Sequence, residues 1–122
     1  MRIAFSVENN NGLNSQTSHH FGRCPYFILI DVENDQVKNV TGITNPFFAA
    51  HGPGQVPNFI RQQGADVMLS GGMGGRAVQF FEQLEIKPVT GAAGTVQDTL
   101  NRYLSGELTG AKPCAESQKH HH

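Results

Sequence analysis

Residues 26–43 read YFILIDVENDQVKNVTGI, and this stretch decides the fold. Its first part, residues 26–32, is a nearly continuous apolar run with the β-branched and aromatic content of a buried strand. Residues 37–43 form a second such segment, and Glu33-Asn34-Asp35-Gln36 between them is too short for a crossover. Two strands joined by so short a turn pair antiparallel as a hairpin. Upstream, residues 2–7 (RIAFSV) read as a strand that precedes the hairpin. Downstream the pattern becomes strand–helix alternation. Val56, Phe59, Ile60 and Gln63 sit at helical spacing with Gly64 as a stop, and residues 67–70 (VMLS) are a short buried strand. Ala77, Phe80, Phe81 and Leu84 mark a second helix, followed by a strand over residues 86–90. The last helix opens on a capping box from Thr95 to Asp98, carries Val96, Leu100, Tyr103 and Leu104, and stops at Gly106.

The order β-β-β-α-β-α-β-α with right-handed crossovers predicts a mixed five-stranded sheet of order 3-2-1-4-5, strand 2 antiparallel, with flanking helices. That is a ribonuclease-H-like α/β arrangement. It occupies residues 1–110, and residues 111–122 read as a tail containing Cys114, His120, His121 and His122, either a tag or a native Cys/His-rich metal-catching segment. At 122 residues and 13.3 kDa there is room for one domain. The net charge of −1 excludes a nucleic-acid binder that works by bulk charge. No apolar run is long enough to span a membrane, and Met1-Arg2-Ile3 opens into a strand rather than a signal peptide. Cytoplasm is the expected compartment.

This topology brings four loops to one end of the sheet: residues 8–25, 45–54, 70–76 and 91–95. Ligands of open α/β sheets bind at such an end, where the connections change direction. Most of the 14 glycines fall in these loops, among them Gly71, Gly72, Gly74, Gly75, Gly91 and Gly94, whereas Glu8 is the one carboxylate there. Arg23, Arg76, His19, His20, His51 and Cys24 also lie there. Main-chain N–H groups turned outward by glycine, helix N-termini and cationic side chains together predict an anion site. The first loop, long and without periodicity, reads as a binding segment or a mobile lid.

Gly72-x-Gly74-x-x-Ala77 has the form of a dinucleotide fingerprint, but the next strand ends in Thr90-Gly91-Ala92 with no acid, so NAD is not expected. A two-metal nuclease needs clustered carboxylates, yet Asp31 and Asp66 belong at the opposite end from Glu8. No G-x-S-x-G elbow and no CxxC pair is present, which excludes a serine hydrolase of that kind and a structural zinc site. No nucleophile–base pair is visible, so an enzyme is not expected.

Ser18-His19-His20-Phe21-Gly22-Arg23-Cys24-Pro25-Tyr26-Phe27 resembles the S-x-x-F-G-R-C-P-Y-F block of the dinitrogenase iron–molybdenum cofactor biosynthesis family. Asp31-Val32, His51-Gly52-Pro53-Gly54, Gly64-Ala65-Asp66-Val67, Ser70 to Ala77 and Gly91-Ala92-Ala93-Gly94-Thr95 continue the resemblance in order across residues 1–110. The resemblance implies a small, stand-alone, non-enzymatic carrier or chaperone for iron–molybdenum or other metal–sulfur clusters or their precursors, of a kind found in anaerobes. Cofactor-assembly proteins are its implied partners. The rim composition and the resemblance together make His19, His20, Arg23, His51, Gly71, Gly72, Gly74, Gly75, Arg76, Gly91, Gly94 and Thr95 the expected cluster-binding residues, with Cys24, His19 and His20 as expected metal ligands. A regulatory or adaptor domain that binds a partner protein or a small phosphorylated anion at the same end is the alternative.

Overall fold

The structure is a computed structural model that describes residues 1–49, 52 and 54–111. Its strands are β1 (Arg2–Val7), β2 (Tyr26–Glu33), β3 (Gln36–Thr44), β4 (Val67–Ser70) and β5 (Lys87–Thr90). Its helices are α1 (Gln55–Gln62), α2 (Gly75–Gln83) and α3 (Val96–Leu104). The sheet order is β3-β2-β1-β4-β5, with β2 antiparallel to both neighbours and β1, β4 and β5 mutually parallel. The ribonuclease-H-like topology read from the sequence is the observed one. The hairpin turns through Asn34 and Asp35 at φ 52° and 62°, the left-handed pair that a two-residue turn matched to strand twist requires.

Alternation along β1 sorts the core into two layers. Ile3, Phe5 and Val7 face one side with Ile28, Ile30, Val67, Leu69 and Val89, where Val96 and Leu100 of α3 cover them. Ala4, Phe27, Leu29 and Met68 face the other side, beneath Val56 and Ile60 of α1 and Phe81 of α2. Burial on both faces explains the unbroken apolar character of the central strands. At the lower end, the Arg2 guanidinium joins Asp31 at 2.8 Å and donates to the Gln63 carbonyl at 2.6 Å. The Arg2 backbone N–H meets Asp66 at 2.8 Å, so both expected lower-end carboxylates are engaged there.

Where the observed elements depart from the sequence reading, local geometry is responsible. One turn of 3-10 helix, Gly12–Asn14, sits inside the first loop. It follows from Ser15, whose backbone N–H donates to the Gly12 carbonyl while its hydroxyl accepts from the Asn11 N–H. The fifth strand starts at Lys87 rather than Ile86, because Ile86 still donates its N–H to the Phe81 carbonyl of α2. The readings placed on His51 and on residues 112–122, including Cys114, lie outside the described residues.

Candidate functional site

The four predicted loops do meet at one rim. The first of them is tied across it by main-chain bonds. Glu8 donates to the Gln16 carbonyl, Ser18 to Ser6 and Thr17 to Gly94, and Ser18 O and Ser15 O accept from Gly71 and Val96, all between 2.8 and 2.9 Å. Phe21 adds a bond to the Gly72 carbonyl at 3.3 Å. This segment therefore forms a strap that closes the ends of β1, β4 and the glycine turns.

The strap explains part of the glycine clustering. A Cβ on Gly71 would stand 2.8 Å from His19 Cα, and one on Gly72 would stand 2.9 Å from the His19 carbonyl. Side chains at either position would push the strap away. The two turns also use some of the N–H groups read as ligand donors: Gly71 N–H goes to Ser18 O, and Gly91 N–H goes to Gly71 O at 3.3 Å. At the third helix, Thr95 accepts from the Asp98 N–H and caps α3. A Cβ on Gly94 would lie 3.1 Å from the Asp98 carboxylate. The Gly91–Thr95 turn thus sits on the rim but is occupied by capping and by an acid.

The other two helix starts differ. Neither α1, entered through Gly54, nor α2, entered through Gly74, has a side-chain cap. The first-turn N–H groups of α2, from Gly75, Arg76 and Ala77, have no intrahelical acceptor. Both N-termini open on a cleft of about 200 Å³ lined by Phe21, Gly22, Gly52, Gly54, Val56, Pro57, Arg76, Ala77 and Phe80. No carboxylate is among these residues, and both helix dipoles present their positive ends. Gly54 is required by conformation and by packing, since its φ is +80° and a Cβ would meet the Phe80 ring at 3.1 Å. Gly74 and Gly75 have no such reason: neither has a positive φ, and a Cβ on either meets nothing within 4 Å.

His19, His20 and Arg23 are exposed along the strap, and Arg76 is exposed at the cleft. Cys24 is fully buried in the layer under α1 and α2. Burial pushes its thiol up to about 11, against the weaker opposing pull of the Ser6 hydroxyl and of backbone groups at Val7 and Gly22. Cys24 and the two histidines are not gathered: among the described residues no three His, Cys, Asp or Glu side chains stand close enough to hold a metal ion.

Several residues the sequence reading passed over shape this site. Phe21 and Phe80 form its apolar walls. Asn45, buried under the rim, donates to the carbonyls of Gly22 and Cys24 and accepts from the Phe47 N–H. The sequence signal for Phe80 as a wall of the site is its position one turn after Arg76 on α2; Asn45 shows none for its hold on the strap, because the two carbonyls it donates to lie more than 20 residues away.

A ribonuclease-H-like sheet with a glycine-lined, cationic rim and with Asp31 and Asp66 at the far end defines a small α/β domain that, among the described residues, lacks the carboxylate cluster of a nuclease. The chain belongs to the dinitrogenase iron-molybdenum cofactor family, whose model matches residues 1–106. It is similar to the crystal structure of PH0822, at 40% identity and a TM-score of 0.79 over 89% of this chain and 95% of that one. It is also similar to the apo form of the orange protein from Desulfovibrio gigas, at 27% identity and a TM-score of 0.78 over 92% and 93% of the two chains. Protein MJ0580 of Methanocaldococcus jannaschii is 29% identical over 110 residues, which covers 88% of this chain and 89% of that protein. No described helix is long and apolar enough to cross a membrane.

Proposed function

We propose that this protein is a non-enzymatic carrier whose cargo, an anionic iron/molybdenum–sulfur cluster or its precursor, binds in the cleft between the N-termini of α1 and α2. The observation that carries this reading is the pairing of two helix starts without side-chain caps and Arg76 around a cleft whose described lining holds no carboxylate. Such a surface favours an anion through oriented N–H groups and a guanidinium, without needing a preformed ligand set. Gly74 and Gly75 fit the cargo, because their missing side chains leave room for it to approach the backbone. Phe21 and Phe80 add polarisable walls suited to soft sulfide faces.

His19, His20 and Arg23 stand ready on the adjoining strap, and His51 completes the predicted set. Cys24, neutral at physiological pH and enclosed, would join them as a thiolate ligand only after the strap opens. The rim offers binding groups rather than catalytic ones. Among the described residues the Ser18 and Ser70 hydroxyls bond only to backbone. Family membership supports a cargo of this class, as does a structural relative characterised in an apo form. Cofactor-assembly proteins would be the partners that load and unload it.

Anaerobic reconstitution with molybdate, iron and sulfide, read by absorbance and metal analysis, tests the reading. Bound metal and sulfide that fall with Arg76→Ala and with His19→Ala/His20→Ala are expected. Uptake unchanged by all three replacements would overturn it, and stabilisation by phosphate or nucleotides alone would favour an adaptor that binds a phosphorylated anion.

A further inference from the structure

We infer that Ser18 and Asn45 are positioning residues, each holding one end of the 19–23 segment so that its cationic and imidazole side chains stay free for cargo. The inference rests on the carrier reading and adds how its strap is set. His19, His20 and Arg23 make no side-chain hydrogen bond or ion pair among the described residues, although they sit on a segment that packs tightly on the glycine turn. Something other than their own side chains must orient them.

At the leading end, the Ser18 hydroxyl donates to the His20 carbonyl at 3.1 Å and accepts from the His20 N–H at 3.2 Å, closing a small ring around the His-His pair. The backbone of Ser18 is itself held from both sides, by Ser6 O at 2.8 Å and Gly71 N–H at 2.9 Å. At the trailing end, the Asn45 amide donates to Gly22 O at 3.3 Å and Cys24 O at 2.8 Å, the two carbonyls that bracket Arg23. Its own oxygen accepts from Phe47 N–H at 2.9 Å and its backbone N–H reaches Pro25 O at 3.0 Å. Both side chains are buried, at 4% and 2% exposure. Buried polar side chains whose donated bonds all go to the backbone of residues 20–24 hold that stretch in a single geometry. The two clamps are separate, with the Phe21 N–H bond to Gly72 O between them, so each should govern its own side chains.

The test is a set of double-substitution cycles with tetrathiomolybdate as the probe, titrated anaerobically by calorimetry, together with the amide NMR spectrum of each variant. Asn45→Ala is expected to weaken binding about tenfold, as Arg23→Ala does, and to add nothing in the Arg23→Ala background. The further loss from His19→Ala/His20→Ala should persist in full. Ser18→Ala should show the mirror pattern, merging with the histidine losses and sparing that of Arg23, and Ser18→Thr should restore binding. Asn45→Asp keeps the shape and the acceptor for Phe47 but loses both donations, and it serves if the alanine variant does not fold. In the spectra, Asn45 variants should move the amides of residues 22–24 and Ser18 variants those of residues 19–20. Losses that add fully to their own partners, or spectral changes spread over the whole strap, would overturn the inference. If the unsubstituted protein takes up no tetrathiomolybdate, the carrier reading fails, and the spectra alone decide the clamp.

Discussion

Gly72 faces the carbonyl oxygen of His19 so closely that a methyl group on its Cα would lie 2.9 Å from that oxygen. Because His20 and Gly72 also form an isolated parallel bridge, a shift at either residue moves the other. Gly72→Ala is therefore expected to destabilise the protein by about 1–3 kcal/mol, the usual range for overpacking. That corresponds to a fall in Tm of roughly 4 °C or more for a domain of this size. Thermal unfolding followed by circular dichroism measures it, and an unchanged Tm would show that the strap does not bear on this turn.

Gly75 should behave in the opposite way. It lies at the first position of α2 with open space where a Cβ would go, so Gly75→Ala should leave stability unchanged or raise it by about 0.5–1 kcal/mol. The same substitution should lower anion uptake, because the methyl occupies the approach to the backbone. A variant that is equally stable and binds undiminished would remove Gly75 from the cradle.

The thiol of Cys24 should be nearly inert in the native protein. With its pKa pushed up to about 11, roughly one molecule in a thousand carries a thiolate at pH 8, and burial denies reagents access even then. In a Cys114→Ser background, alkylation should be slow until denaturant is added. The linkage sign follows from the raised pKa. The unfolded state loses this proton first, so the stability that Cys24 contributes is intact below pH 9 and declines between about pH 9 and 11. Alkaline denaturation of Cys24→Ala should lack that component; rapid native-state labelling would contradict the buried placement.

At the other end of the sheet, the Arg2 guanidinium holds the Asp31 carboxyl below its ordinary range. The unfolded chain therefore takes up this proton at higher pH than the folded one, so the contribution is present at neutral pH and lost as pH falls below the usual carboxylate pKa. The pair is about one-third exposed, which limits it to under about 1 kcal/mol. Asp31→Asn should cost no more than that at pH 7 and less at pH 2, as measured by urea unfolding at the two pH values. A larger loss at pH 2 than at pH 7 would reverse the assignment.

Much of the architecture could be read along the chain because its determinants are local. The four-residue link after Val32 dictates a hairpin, Gly64 and Gly106 stop α1 and α3 with φ of +79° and +87°, and the Thr95–Asp98 box caps α3 where the residue types demand it. The meeting of the loops that carry Arg23, Arg76, His19 and His20 at one rim was equally legible, since strand order and direction follow from connection lengths.

Tertiary contacts decided which of those rim groups face outward. Glycine content alone does not say whether an N–H turns toward a ligand or toward the chain. Gly71 and Gly91 turn inward because the strap and the neighbouring turn supply carbonyl acceptors, whereas α2 begins with none. Cys24 lies inside, packed in the layer beneath α1 and α2, and Asn45 matters because Gly22 and Cys24 arrive beside it at the open end of the hairpin. Composition and spacing thus determined the fold and the end of the sheet at which the glycine-rich loops meet. The direction of each donor was left to contacts between segments far apart in sequence, because a buried polar group settles on whichever partner the packed chain brings to it.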